Sequence, residues 1–96
     1  MNHWEMIEAG EAVDRLTEKE ALVIAPNMGD TTLLFQTNRK GWPIGSGIEE
    51  KRLLGATYYV TINRDDEYNE LLQTYSILEE TDRYSIIDLR ELKDVQ

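Results

Sequence analysis

Six polar residues stand where a fold could turn them to chemistry: Asn27, Asp30, Ser46, Asn63, Arg64 and Asp65. They fall in three short loops, 27–30, 45–47 and 63–65, each following an apolar run. If those runs are parallel strands, the loops converge at the strands' carboxyl ends, where open α/β sheets bind ligands. The same side chains also suit plain structural work. Asp and Asn accept hydrogen bonds from the free amides at helix starts and inside tight turns. Both readings are open at the level of sequence.

Arg39-Lys40-Gly41-Trp42 is the second place to look, a local cation pair beside an aromatic. It is expected at the opposite, amino edge of the sheet. It reads either as a solvated turn leading into a core tryptophan or as a contact for a sugar, a lipid headgroup or another protein. An indole is large, apolar and polar at one tip, which suits such surfaces.

Reactive constellations are scarce. Asp65-Asp66-Glu67 is an acidic run, but consecutive side chains at a helix start diverge and no EF-hand spacing follows, so capping is the expected role. Gly45-Ser46-Gly47 lacks the GxSxG spacing, and His3, the only histidine, lies at the terminus without partners for a catalytic constellation. There is no cysteine. Neither GxGxxG nor GxxxxGK[ST] occurs, and Asp30 and 65–67 place carboxylates at helix starts that a phosphate would otherwise use. No catalytic residue, metal or cofactor is expected.

Ninety-six residues with 41% hydrophobic and 30% charged side chains describe one globular domain. The net charge of −9, from 19 acids against 10 dispersed bases, disfavours nucleic acid and a polybasic membrane grip. No apolar stretch nears the ~20 residues that cross a bilayer. Glu5, Glu8 and Glu11 occupy positions where a leader peptide needs apolar residues, so a water-soluble chain is expected.

Periodicity supplies the elements. Met6, Ala9, Val13 and Leu16 predict an amphipathic helix over 4–17. Leu22-Val23-Ile24 reads as a strand apolar on both faces. Asp30 is expected to cap a short helix that buries Leu33, Leu34 and, in part, Phe35. Residues 42–44 read as an edge strand because Pro43 cannot donate to a ladder. A weak helix spans 48–54 and ends at Gly55, and 57–62 is the clearest strand. Tyr68, Leu71, Leu72 and Tyr75 form a helical stripe capped by Asp65 or Asp66. Around 75–78 the period switches towards two, and Tyr84, Ile86, Ile87 and Leu89 form a last strand, so the chain ends in a hairpin turning at 81–83, with a tail expected to fray after Arg90. This alternation predicts a small three-layer α/β sandwich with a mostly parallel sheet, strand order 2-1-3, and a C-terminal β-hairpin.

Three stretches carry a resemblance: ALVIAPNMGDTTLLFQTNRKGW at 21–42, GIEEKRLLGATYYVTIN at 47–63 and ELLQTYSILEETDRYSIIDL at 70–89. Together they resemble the C-terminal soluble domain of membrane glycosyltransferases of the dolichyl-phosphate-mannose protein mannosyltransferase and aminoarabinose transferase-like superfamily. Gly29-Asp30, Leu33-Leu34-Phe35, Arg39-Lys40-Gly41-Trp42 and Gly55-Ala56-Thr57-Tyr58-Tyr59-Val60 match that pattern. The likeness implies a non-catalytic domain on the extracytoplasmic side, excised from a polytopic parent that moves a sugar from a lipid-phosphate carrier. Its implied partners are the parent's transmembrane body and a glycan or protein acceptor, and the isolated domain is expected to be a monomer. The multi-helix membrane body that holds the family's catalytic acid has no counterpart in these residues. Asn27, Asp30, Arg39, Lys40, Trp42, Asn63 and Arg64 are the candidate contact residues. The alternative is a free-standing small α/β module that binds a ligand or a protein.

Overall fold

The first helix forms where the spacing of Met6, Ala9 and Val13 places it, as α1 (Trp4–Leu16), with those three residues buried. The computed structural model describes residues 4–93, so His3 lies outside the described residues. After α1 come β1 (Leu22–Ile24), α2 (Thr32–Gln36), β2 (Lys40–Trp42), α3 (Ile48–Leu53), β3 (Ala56–Thr61), α4 (Asp66–Leu71), β4 (Tyr75–Glu80) and β5 (Ser85–Leu92).

The five strands make one sheet in the order β2-β1-β3-β5-β4. The expected 2-1-3 order holds, and the hairpin lies beyond β3. The expectation of a mostly parallel sheet does not hold. β1 runs parallel to β2 and β3, but β5 is antiparallel to both β3 and β4. The cause is local. A short turn closed by Thr81 N donating to Tyr84 O at 2.8 Å can only return the chain antiparallel. Composition then decides which arm of the hairpin meets β3. Ser85 to Leu89 of β5 are buried without interruption, as an inner strand needs, whereas β4 exposes Ile77 and Glu80 and takes the edge.

Alternation along the inner strands builds two cores. Val23, Tyr58, Val60 and Ile86 face α1 and α2, meeting Met6, Ala9, Val13 and Leu33. Ile24, Tyr59, Ile87 and Leu89 face the other way, meeting Tyr68 and Leu71 of α4, with Ile48 and Trp42 against the same cluster. The sheet is therefore covered by helices on both faces.

Local departures from the sequence reading have local causes. β2 begins two residues earlier than expected, so Pro43 follows the strand rather than interrupting it. Gly41 makes this possible: its φ is 156°, and a Cβ there would stand 1.8 Å from the Val23 carbonyl oxygen. Phe35 is not buried; it is 79% exposed, because Leu33 takes the inward position of the short α2 and a residue two places on points away. Tyr75 does not extend the stripe of α4. It opens β4, where its hydroxyl donates to Glu49 at 2.6 Å and the Arg52 guanidinium lies 5.1 Å over its ring. The chain stays in the sheet past Arg90, since Leu92 still pairs with Tyr75.

Candidate functional site

The carboxyl ends of β1, β2 and β3 do bring the three loops together. They enclose a hollow of about 590 Å³ with contributions from Pro26, Met28, Gly29, Ile44, Gly45, Ser46, Thr61, Asn63, Asp65 and Glu67. Its rim is apolar: Met28 is 96% exposed and Ile44 59%. Met28 and Ser46 adopt left-handed backbone angles, φ 53° and 66°, which non-glycine residues rarely take.

The acids of the hollow are already engaged. Glu67 bridges two elements, accepting from the Tyr59 hydroxyl at 2.8 Å and from the Ser46 amide at 2.5 Å. Burial, reinforced by the Glu67 carboxylate, drives the Tyr59 phenol far above its ordinary pKa. Asp65 caps α4 by accepting from the Tyr68 amide at 3.0 Å. Thr61 turns its hydroxyl onto the Asn63 backbone. Lys51 fastens the loop from beneath, its ammonium donating to the carbonyls of Ile44, Gly45 and Ser46 at 2.7, 2.9 and 2.7 Å. Held in this way, these groups shape a surface. None is poised as a base beside a nucleophile.

The candidates of the sequence reading separate. Of the seven contact residues, only Asn63 lines this hollow. Asn27 lies behind it, its amide donating to Met6 Sδ at 3.4 Å. Asp30 accepts from the Thr32 amide and hydroxyl at 2.8 and 2.5 Å, securing the start of α2. Arg64 reaches away to the hairpin turn, donating to Thr81 O and to Tyr84 O at 3.2 Å, with Glu80 at 3.7 Å. Trp42 is half-buried against the second core.

Arg39 and Lys40 sit at the amino ends of the strands, as expected, yet with opposite fates. The Arg39 side chain is 1% exposed. Its Nε donates to Glu18 O at 2.9 Å, its Nη2 to Thr17 O at 3.0 Å and its Nη1 to Asp14 Oδ1 at 2.8 Å. A surface contact by Arg39 is therefore replaced by a clamp on the C-terminal end of α1, where carbonyls lack helical partners. Lys40 is exposed.

Sequence reasoning passed over Glu67 as one of three capping acids and took no account of Met28. The signal for Glu67 was its place after two sufficient caps. Among the described residues, no group of three or more His, Cys, Asp or Glu side chains could hold a metal ion, and no helix is long and apolar enough to cross a membrane. No family model, curated protein or solved structure matches the chain.

Proposed function

We propose that this chain is a non-catalytic domain of a polytopic membrane glycosyltransferase, one that moves a sugar from a lipid-phosphate carrier. The domain stands on the extracytoplasmic side and leans on the parent's transmembrane body, in a stabilising or acceptor-contacting role. The resemblance at 21–42, 47–63 and 70–89 supplies the family. One observation carries the docking role: the exposed apolar side chains Met28 and Ile44 meet at the hollow formed by the carboxyl ends of the parallel strands. The Asn27 bond to Met6 ties the first turn of α1 to the loop bearing Met28. Apolar surface of this kind is stabilised by burial against a partner.

The motif carrying the resemblance fits such a role, because its residues build the fold. Asp30 secures α2, Arg39 clamps α1 and Gly41 lets β2 meet β1. The test is membrane fractionation of the native gene product, with cysteines substituted at Met28 and Ile44 and probed by crosslinking. Crosslinks to a preceding apolar segment are expected. A native product found only in the soluble fraction, with no such segment encoded upstream, overturns the reading.

The second reading, a free-standing ligand- or protein-binding module, draws on the 590 Å³ hollow, whose size suits a small ligand. It predicts that a ligand seated there raises the melting temperature of the isolated chain.

A further inference from the structure

A second hollow, of about 720 Å³, opens at the other end of the parallel strands. Lys19, Glu20, Phe35, Asn38 and Lys40 line it, above the buried Arg39. Two features set it apart from the rest of the acidic surface.

The first is its cations. Acids outnumber bases 19 to 10, so a basic side chain here readily finds a carboxylate. Among the described residues every arginine does so: Arg15, Arg39, Arg52, Arg64, Arg83 and Arg90 each end on one. Lys51 ends on three carbonyls. Lys19, Lys40 and Lys93 make no ion pair and no side-chain hydrogen bond among the described residues, and two of the three, Lys19 and Lys40, line this one hollow. The second feature is Phe35, an aromatic ring 79% exposed beside them.

We propose that this hollow binds an anionic saccharide. A sugar ring offers an apolar face of C–H groups that lies against an exposed aromatic ring, its hydroxyls suit planar side chains such as Asn38 and Glu20, and a carboxylate or phosphate on it answers the two free lysines. Glu20 lines the same hollow and opposes the anion, while its carboxylate can accept from the sugar's hydroxyls. The hollow falls within the size range of small-ligand sites, which favours a discrete ligand over a flat lipid surface. The site lies at the opposite end from the docking face and stands or falls separately from it.

The test is NMR titration of the isotope-labelled chain with trigalacturonate, glucose 1-phosphate, neutral maltotriose and anionic phosphatidylglycerol vesicles. At least one of the two anionic sugars is expected to shift the amides of Lys19, Phe35 and Lys40, and to bind about tenfold or more tightly than maltotriose. Comparison of the two then distinguishes a uronate from a sugar phosphate. Binding should weaken as salt is raised. Phe35→Ala and the double variant Lys19→Gln, Lys40→Gln should each weaken binding about tenfold with the melting temperature unchanged, since all three side chains are exposed. The proposal is overturned by maltotriose binding equally well, by response to vesicles alone, by no shift at these residues up to about 10 mM sugar, or by full binding in the folded Phe35→Ala variant.

Discussion

Arg39 shows how one side chain can serve a fold from a position that reads as surface. Its guanidinium lies under α1 and supplies donors to the carbonyls of Thr17 and Glu18 and to the Asp14 carboxylate. Removing it leaves the buried Thr17 carbonyl and the part-buried Glu18 carbonyl without their donor, and the half-exposed Asp14 carboxylate without its partner. Arg39→Ala should destabilise the chain by about 3 kcal/mol, measured by urea unfolding; a loss below about 1 kcal/mol would mean that water replaces the clamp. Arg39→Lys should recover less than half, because one ammonium cannot reproduce a planar fork of donors. Tyr84 makes a residue-scale prediction about pH. Burial, with the Glu79 carboxylate second, pushes its phenol up to about 12. Between about pH 10 and pH 12 the unfolded chain has released a proton that the folded chain still holds. Stability present below that window is therefore lost as pH rises through it. Tyr58, Tyr59 and Tyr75 are raised as well and act in the same direction. The urea midpoint should fall across this window, and Tyr84→Phe should make the fall shallower.

Two glycines govern how the elements meet. At Gly10 a Cβ would stand 2.1 Å from the Gln36 carbonyl oxygen, so α1 and α2 approach through it. In an exposed helix Gly→Ala stabilises by about 1 kcal/mol; here Gly10→Ala should destabilise, a reversal of sign that thermal unfolding would register. At Gly41 both φ and the Val23 contact forbid a side chain. Gly41→Ala should free β2, and the Ala25 amide, now bonded to Trp42 O at 2.9 Å, should then exchange faster with solvent. Trp42→Ala should lose about 3 kcal/mol, the low end for a large aromatic because Trp42 is only half-buried. Elements with a strong period were legible in advance: α1 from its helical stripe, β3 from its β-branched and aromatic run. β2 was not, because three residues carry no measurable period and Pro43 drew the strand towards itself. The start of β4 was legible from the switch to a period of two at 75–78, although Tyr75 also fits the stripe of α4; its pairing with Leu92, far along the chain, settles its place in the sheet.

At the scale of the molecule, the parallel half of the sheet gives the domain two unlike ends. The carboxyl end carries Met28 and Ile44 around acids whose groups are occupied, and the amino end carries Phe35 in one hollow with Lys19 and Lys40. If the carboxyl end docks against a parent protein, Met28→Asp with Ile44→Asp should leave the isolated domain folded, as both side chains are exposed. On the proposed reading, the same pair in a parent glycosyltransferase should lower sugar transfer or expression several-fold, read by activity in membranes and by protein level.

Composition and local pattern alone determined that this is one acidic α/β domain, that its first three strands stand in the order 2-1-3, and that three loops share an edge. These follow from charge count, periodicity and the handedness of crossovers, which act over short stretches. Tertiary structure decided the rest: the direction of β5 against β3, the burial of Arg39, the exposure of Phe35 and the isolation of Lys19 and Lys40. Each depends on which distant groups come within a few ångströms. A single residue cannot announce whether a carboxylate or a carbonyl from far along the chain will reach it before water does.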